Sequence, residues 1–577
     1  MPRRGARLCF PALLALLALL AAGATSCSGG ASAPTAGPGR AASTAPRPRL
    51  VVLLVVDGLP SWSFVSKMKS ARAGFARMMR DGVYYRAASY PYAATYTGPG
   101  HAALVTGTPP AVSGIVSNRW YDAVAGRAVD AVEDDGAPML AVGPAAASTP
   151  SPPSKGASPK NLLVDSVGDS LIQATGGRAH VVALSVKRHA AVLLGGHRPT
   201  VVAWFDEGQS AFATSRYYAA STPAWLRQLA ADHPAAPRIA SYVWEHADPA
   251  WLAATTGLTD RAPGELGIFG HGPVFPHRPS AAERPGQAVQ ATPLSDQLLL
   301  EAALAALAGE HMGEDDVPDL LLVSFSAHDI IGHGWGQESW ESLDEFARLD
   351  RIIGGLLDQL DNRVGRGRWA LVFASDHGAT HVIEQTVAAG GTARRVDPAA
   401  VGAAAQAAAS RAIGPGEWIA DTREQLLYLT AAAQALPAAR RDRLLDAVVA
   451  AVRATPGVGV AVRTDAFAAV TDGATDGAAG CDRLSELDAV LCRSINHPRS
   501  GDVYYGPADG SVLMEKPWDT ATHGSANAQD RRVPIIVIEP GAAPRAVDRP
   551  ISSLQVAPTL ARLLGIAAPP RALAPSL

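Results

Sequence analysis

Residues 50–56, Leu-Val-Val-Leu-Leu-Val-Val, are apolar at every position and stop at Asp57-Gly58. A run with no polar face predicts a parallel strand buried on both sides. Comparable runs stand at residues 180–184, 320–325, 369–374 and 533–538. Apolar positions at helical spacing fill residues 343–360 and 554–564. Strands alternating with helices predict an α/β fold, a doubly wound and mostly parallel sheet with helices on both faces, over residues 49–570. Two insertions are expected in it, at about residues 120–310 and 381–510. In the first, the strand-like RPTVVAWFD (198–206) and the tryptophan-bearing stretch to about residue 275 predict a cap. The Pro/Ser/Ala-rich residues 143–160 predict an excursion from the fold.

The start of the chain follows a different pattern. Arg3, Arg4 and Arg7 precede the apolar run FPALLALLALLAAG, and small residues follow. This is the pattern of a secretory signal over residues 1–27, too short to span a membrane. Ala24-Thr25-Ser26-Cys27 is similar to a bacterial lipoprotein signal, which predicts lipidation of Cys27 and membrane anchoring; simple cleavage and release is the alternative. Residues 28–48 read as a flexible tether. The protein is therefore expected to be secreted across the inner membrane, either periplasmic or lipid-anchored at the cell envelope. Cys481 and Cys492 are expected to pair in that oxidising compartment, with two free thiols as the alternative.

Composition then narrows the class. The 577 residues are 48% hydrophobic and 18% charged, enough for a large core. A formal net charge of −3 and the absence of a basic run exclude a non-specific nucleic-acid partner.

Candidate chemistry gathers at the strand ends, where such sheets place their sites. The first run ends in Asp57. LLLVSFSAHD carries Asp329, with His333 four residues on. ALVFASDHG ends in Asp376-His377, and DTATHGSAN places His523 before another strand. Singly, these are turns, an ion pair and a loop histidine. Jointly, three carboxylates and three imidazoles without a thiolate suit Zn²⁺, and they suit two ions better than one. AATYTGPGHAALVTG (93–107) sets Thr97 at a Gly-Pro-Gly turn, with a helix expected from Ala102. Thr97 is then either a helix cap or a nucleophile where helix amides welcome an anion.

Asp57, the TGPGHAALVTG stretch, Asn118-Arg119-Trp120-Tyr121-Asp122, Asp329 with His333, Asp376-His377, THGS at His523 and the closing VAPTLARLLGI together resemble the alkaline phosphatase superfamily. The branch they resemble is that of secreted bacterial phosphatases with a threonine nucleophile, related to the nucleotide pyrophosphatase/phosphodiesterases. The resemblance implies two zinc ions, one held by Asp329, His333 and His523, the other by Asp57, Asp376 and His377 with the Thr97 oxygen. It implies Thr97 as the nucleophile on a small-molecule phosphate ester, a phosphothreonine intermediate, and His101 as a structural helix residue. It implies substrate binding by Asn118 and by a Lys-x-Arg pair, of which Lys187 is present while His189 stands at the arginine position and Arg188 is displaced by one. A histidine lacks arginine's bidentate grip, and strand alternation makes it awkward for Arg188 to reach round. The expected activity is phosphomonoester hydrolysis, with phosphodiester hydrolysis as the alternative. The sulfatase motif is absent from the nucleophile position, a cofactor-independent mutase would use serine, and a non-catalytic binding protein would be expected to lack some of these ligands.

Overall fold

Strands apolar on both faces need cover on both faces, and the computed structural model supplies it. It describes residues 47–143, 155–471, 478–514, 516 and 519–577. The expected signal (1–27) with Cys27, nearly all of the tether (28–48) and residues 144–154 of the excursion lie outside the described residues.

In chain order, β1 (Leu50–Val56) and β2 (Val83–Tyr85) are followed by helix α1 (Thr97–Thr106) and the hairpin β3 (Arg119–Asp122) and β4 (Arg127–Asp130). Then come β5 (Val181–Ser185), α2 (Arg188–Gly195), β6 (Val201–Asp206) and β7 (Ala211–Ala213). The centre is completed by β8 (Asp319–Phe325), α3 (Ala327–Trp335), α4 (Trp340–Leu360) and β9 (Trp369–Ala374). A later stretch holds α5 (Pro398–Ile413), β10 (Ile419–Arg423), β11 (Leu426–Leu429), α6 (Ala438–Arg453), β12 (Val458–Arg463) and β13 (Val503–Pro507). The chain closes with β14 (Ile535–Ile538), β15 (Arg545–Val547) and α7 (Val556–Leu564).

The main sheet has the order β15-β2-β14-β9-β1-β8-β5-β6-β7. Its middle five strands, β9 to β6, are parallel, while β14 runs against β9 and β7 against β6. Alternation along β1 divides it between two cores: Val51, Leu53 and Val55 pack with α1, α2 and α7, whereas Leu50, Val52, Leu54 and Val56 pack with α4. All seven are fully buried. Burying each large aliphatic side chain contributes about 1.5–3 kcal/mol to the sheet.

Three expectations are corrected here. RPTVVAWFD is not a cap: Val201–Asp206 is β6, buried throughout and paired in parallel with β5, so β5, β6 and β7 take part of the 120–310 stretch into the main sheet. The tryptophan in it faces one core and its phenylalanine the other, as a doubly covered strand requires. The last run begins at Ile535 rather than residue 533, because Pro534 cannot donate to a ladder, and it is antiparallel.

The later insertion folds as an antiparallel sheet of order β10-β11-β13-β12 backed by α5 and α6 over its own apolar core. Cys481 and Cys492 are joined by a disulfide. Among the described residues, no helix is long and apolar enough to cross a membrane.

Candidate active site

Four adjacent strands deliver polar side chains at their carboxyl ends: Asp376 and His377 after β9, Asp57 after β1, Asp329 and His333 on α3 after β8, and Lys187 after β5. Because β14 is antiparallel, the loop entering it opens at the same edge, with Ile535 opposite Ala374, and that loop carries His523.

Thr97 reaches this edge on α1. The helix starts at Thr97 itself, not after the Gly-Pro-Gly triplet. Proline is tolerated there because the first-turn amides of a helix have no intrahelical partner to lose. The glycines allow close approach: a Cβ on Gly100 would lie 2.2 Å from the Asp376 backbone oxygen, and one on Gly98 3.0 Å from Asn118 Oδ1. The amide of Gly98 donates to Asn118 Oδ1 at 2.7 Å and that of Gly100 to Tyr96 O at 2.9 Å. Since Pro99 has no N–H, most donors of this turn are already used, and the helix start keeps few amides for an anion. The Asn118 Oδ1 is fixed, which leaves its NH₂ group for other acceptors.

Thr97, Asn118, Lys187, His189, Asp329, His333 and His523 line one cavity of about 520 Å³. Asp57, Asp376 and His377 are fully buried beside it. The donor atoms of Asp329, His333 and His523 lie within 4.8 Å of one another, as do those of Asp57, Asp329 and His377. His377 Nε2 is 3.5 Å from Asp57 Oδ1 and 3.3 Å from Asp376 Oδ2. The His377 and His523 rings stack at 3.7 Å, so the two groups adjoin.

Tautomers follow from the partners. His377 Nδ1 faces Gly378 O at 2.9 Å and His523 Nδ1 faces Thr95 O at 2.8 Å. A carbonyl only accepts, so Nδ1 carries the proton and the Nε2 lone pair points inward, the arrangement that ligating histidines use. Asp57 Oδ1 and His377 Nε2 are buried without a hydrogen-bond partner, while Asp57 Oδ2 meets the Lys187 ammonium and Asp376 Oδ2 the His101 ring. Leaving each such group unpaired costs about 1–3 kcal/mol, which ligation of a cation would recover. The residues present therefore fit two divalent cations. Burial and the neighbouring Asp376 push the Asp57 carboxyl up to about 6, whereas at Asp329 the cost of burial is outweighed by Lys187 and three histidines, which hold it well below the usual range.

Two other clusters do not fit an ion. His101 Nδ1 lies 2.8 Å from Thr97 O and 3.1 Å from Asp376 Oδ2, and its Nε2 meets Ser324 Oγ at 2.8 Å. His197 spends Nδ1 on Asp169 at 3.3 Å and Nε2 on Leu162 O at 3.0 Å. In neither ring is a nitrogen left over.

Lys187 Nζ sits 2.9 Å from Asp57 Oδ2, outside hydrogen-bond geometry, and 2.5 Å from Asp329 Oδ2. It is not on a strand but caps α2, so Arg188 and His189 occupy a helical turn and strand alternation does not govern them. Arg188 does not reach round into the cavity. Its Nη2 donates to Asp130 Oδ2 at 2.9 Å, and His189 Nε2 lies 3.0 Å from Asp130 Oδ1. His189 alone of the two lines the cavity.

Sequence reasoning gave no role to several polar residues here, Asp519, Arg119, Arg423 and Lys516 among them. Asp519, 3.4 Å from His333 Nδ1, stands in the same DTATH string as His523 and was open to discovery. Arg119 was in view beside Asn118. Arg423, which also lines the cavity, comes from the insertion, and no local signal marks it.

Residues 51–529 match the family described as Type I phosphodiesterase / nucleotide pyrophosphatase. The chain belongs to that family, within the alkaline phosphatase superfamily. It is 28% identical to alkaline phosphatase PafA of Elizabethkingia meningoseptica over 91% of this chain and 93% of that protein. It is 33% identical to alkaline phosphatase PhoV of Synechococcus elongatus over 59% of this chain and 60% of that one. The crystal structure of wild-type PafA superposes with a TM-score of 0.82 at 27% identity, covering 92% of this chain and 98% of the other. As a member of this phosphodiesterase/nucleotide pyrophosphatase family, the protein is a hydrolase of phosphoric esters, a phosphatase of the superfamily, and the family implies a metal cofactor.

Proposed function

We propose that the protein is a secreted alkaline phosphatase that hydrolyses phosphate monoesters through a phosphothreonine intermediate at a two-zinc site. The carrying observation is the cavity itself: Thr97, Asn118 and Lys187 share one wall, with the six Asp and His donors adjoining. Oxygen and imidazole donors without thiolate favour Zn²⁺ with open positions. Asp329, His333 and His523 would hold one ion, and Asp57, Asp376 and His377 with Thr97 the other. When bound, two such ions supply charge neutralisation on the phosphoryl oxygens and easier deprotonation of a hydroxyl.

The chain's own groups do the rest. Thr97 Oγ attacks phosphorus, the ester oxygen departs, and the phosphoryl group rests on Thr97 until water displaces it. The Asn118 NH₂ donates to a phosphoryl oxygen, and the Lys187 ammonium meets the second negative charge that distinguishes a monoester from a diester. The test compares p-nitrophenyl phosphate with its bis ester on wild type and Lys187→Ala. Monoester turnover falls by roughly 10²-fold and diester turnover far less. Equal loss on both removes Lys187 from this role. Metal analysis of the purified protein gives two zinc ions per chain, and Thr97→Ala abolishes trapping of labelled phosphate on the protein.

Diester hydrolysis is the second reading, favoured by one observation: the imidazole at the expected arginine position is anchored on Asp130, away from a bidentate grip. A bis-ester rate above the monoester rate in wild type would select it. Export and lipidation at Cys27 belong to the same proposal, on the sequence pattern of residues 1–27; labelled palmitate enters the wild type and not Cys27→Ser.

A further inference from the structure

The cavity is larger than a phosphoryl group needs, and its outer wall is built by the insertion. Hairpin β3–β4 carries Arg119 beside Asn118, and hairpin β10–β11 carries Arg423; β10 packs against β3. One ring contact joins the two hairpins directly, and Arg499 of the insertion ties the β3–β4 hairpin and its neighbouring loops to it. The Tyr121 and Tyr428 rings meet at 5.6 Å. The Arg499 guanidinium lies 5.1 Å over the Trp120 ring. The same guanidinium donates to Gly114 O and Asn161 O, both at 2.6 Å. Arg119 and Arg423 both line the cavity that holds Thr97.

Neither guanidinium has all its donors engaged. Arg423 gives Nε to Asp421 Oδ2 at 2.9 Å, which fixes its stem, and no hydrogen bond or ion pair is formed by its two Nη groups among the described residues. The exposed Arg119 guanidinium forms none among the described residues either. Glu424 shares the wall and sits at φ +52°, a left-handed turn position that glycine favours. Holding a glutamate there costs about 1–3 kcal/mol, strain of the kind that gathers at ligand clamps. Apart from the metal donors and their partner Asp519, the wall offers Lys187, Lys516, Arg119 and Arg423 against the carboxylate of Glu424, with Asp421 paired to Arg423, in a chain whose net charge is −3.

We propose that Arg119 and Arg423 select phosphate monoesters whose leaving group carries a further anionic group, a carboxylate or a second phosphate. This rests on the monoester reading above. A planar guanidinium matches either oxyanion bidentately, and two of them on opposed hairpins would clamp a leaving group that points out of the cavity.

The test uses near-isosteric pairs on the zinc-loaded full chain. In the first pair, 3-phosphoglycerate differs from glycerol 1-phosphate by a carboxylate in place of a hydroxymethyl group. In the second, fructose 1,6-bisphosphate is set against fructose 6-phosphate, which reports on a second phosphate. The expected kcat/KM ratio is roughly tenfold or more in favour of the charged member of at least one pair, and it falls as salt is raised. In Arg119→Ala/Arg423→Ala the ratio collapses towards one. In Arg127→Ala, an exposed arginine on the same hairpin that does not line the cavity, it stays at the wild-type value. Wild-type ratios near one for both pairs, or ratios that survive the double substitution, overturn the proposal. Failure of the underlying reading looks different: no turnover of p-nitrophenyl phosphate beside turnover of its bis ester.

Discussion

At the residue scale, the candidate nucleophile and a candidate metal donor meet at one nitrogen. His101 Nδ1 is within reach of both Thr97 O and Asp376 Oδ2, so the first turn of α1 and the end of β9 cannot move independently. Gly100 completes this junction. The 2.2 Å approach of a Cβ there would be to backbone, not to a flexible side chain. Gly100→Ala must therefore push α1 from Asp376, at a cost of about 1–3 kcal/mol for overpacking. Because Asp376 would move with the strain, the variant is also expected to retain less metal than wild type after dialysis at equal concentration. A variant that melts lower yet keeps its full metal content would show that Gly100 serves packing alone.

At the element scale, the site depends on direction more than on residue identity. One antiparallel strand, β14, brings the His523 loop to the edge where parallel strands end. The segment that carries the disulfide has a similar supporting task. Ala93 N donates to Ser494 Oγ at 2.7 Å, and the Arg493 guanidinium reaches Pro91 O at 3.3 Å, so the segment braces the residues that lead into Thr97. The Cys481–Cys492 bond closes a loop of sequence separation 11. A closure of that length removes about 3 kcal/mol of chain entropy from the unfolded state. The double variant Cys481→Ser/Cys492→Ser is expected to lose up to that much stability in a denaturant titration. Its ratio of monoester to diester activity should stay unchanged, since no donor or cavity residue lies in the loop. A shifted ratio would mean that the brace also sets the position of Thr97.

At the scale of the whole molecule, what the sequence reveals depends on how far apart the cooperating residues are. Asp57, Asp329 and Asp376 each follow an apolar run, so each could be read against its own strand. β6 misled because Pro199 before it and its tryptophan and terminal aspartate look like surface chemistry, although tertiary pairing buries the strand. Arg423 was beyond reach because it shares the cavity with Arg119 only through the docking of an insertion some 300 residues later. Long-range burial also sets how stability responds to pH. Glu265 is 8% exposed, accepts one hydrogen bond from Ala262 N at 2.7 Å, and leaves Oε1 without a partner. Burial, with Asp260 nearby, pushes its carboxyl from 4.5 up to about 8. The folded chain thus holds a proton here that the unfolded chain releases. The stabilisation is complete below the unfolded value and is lost as pH rises through about 8. Glu265→Gln imitates the protonated form and has no proton to lose. The difference in melting temperature between variant and wild type cancels contributions common to both, including those of the metal donors. It should favour the variant increasingly as pH rises from about 4.5 to about 8 and level off above that. At about 1.4 kcal/mol for each pKa unit, the full effect is of the order of a few kcal/mol. A difference that stays flat with pH would place a charged, solvated carboxylate at Glu265 and remove it from the buried set.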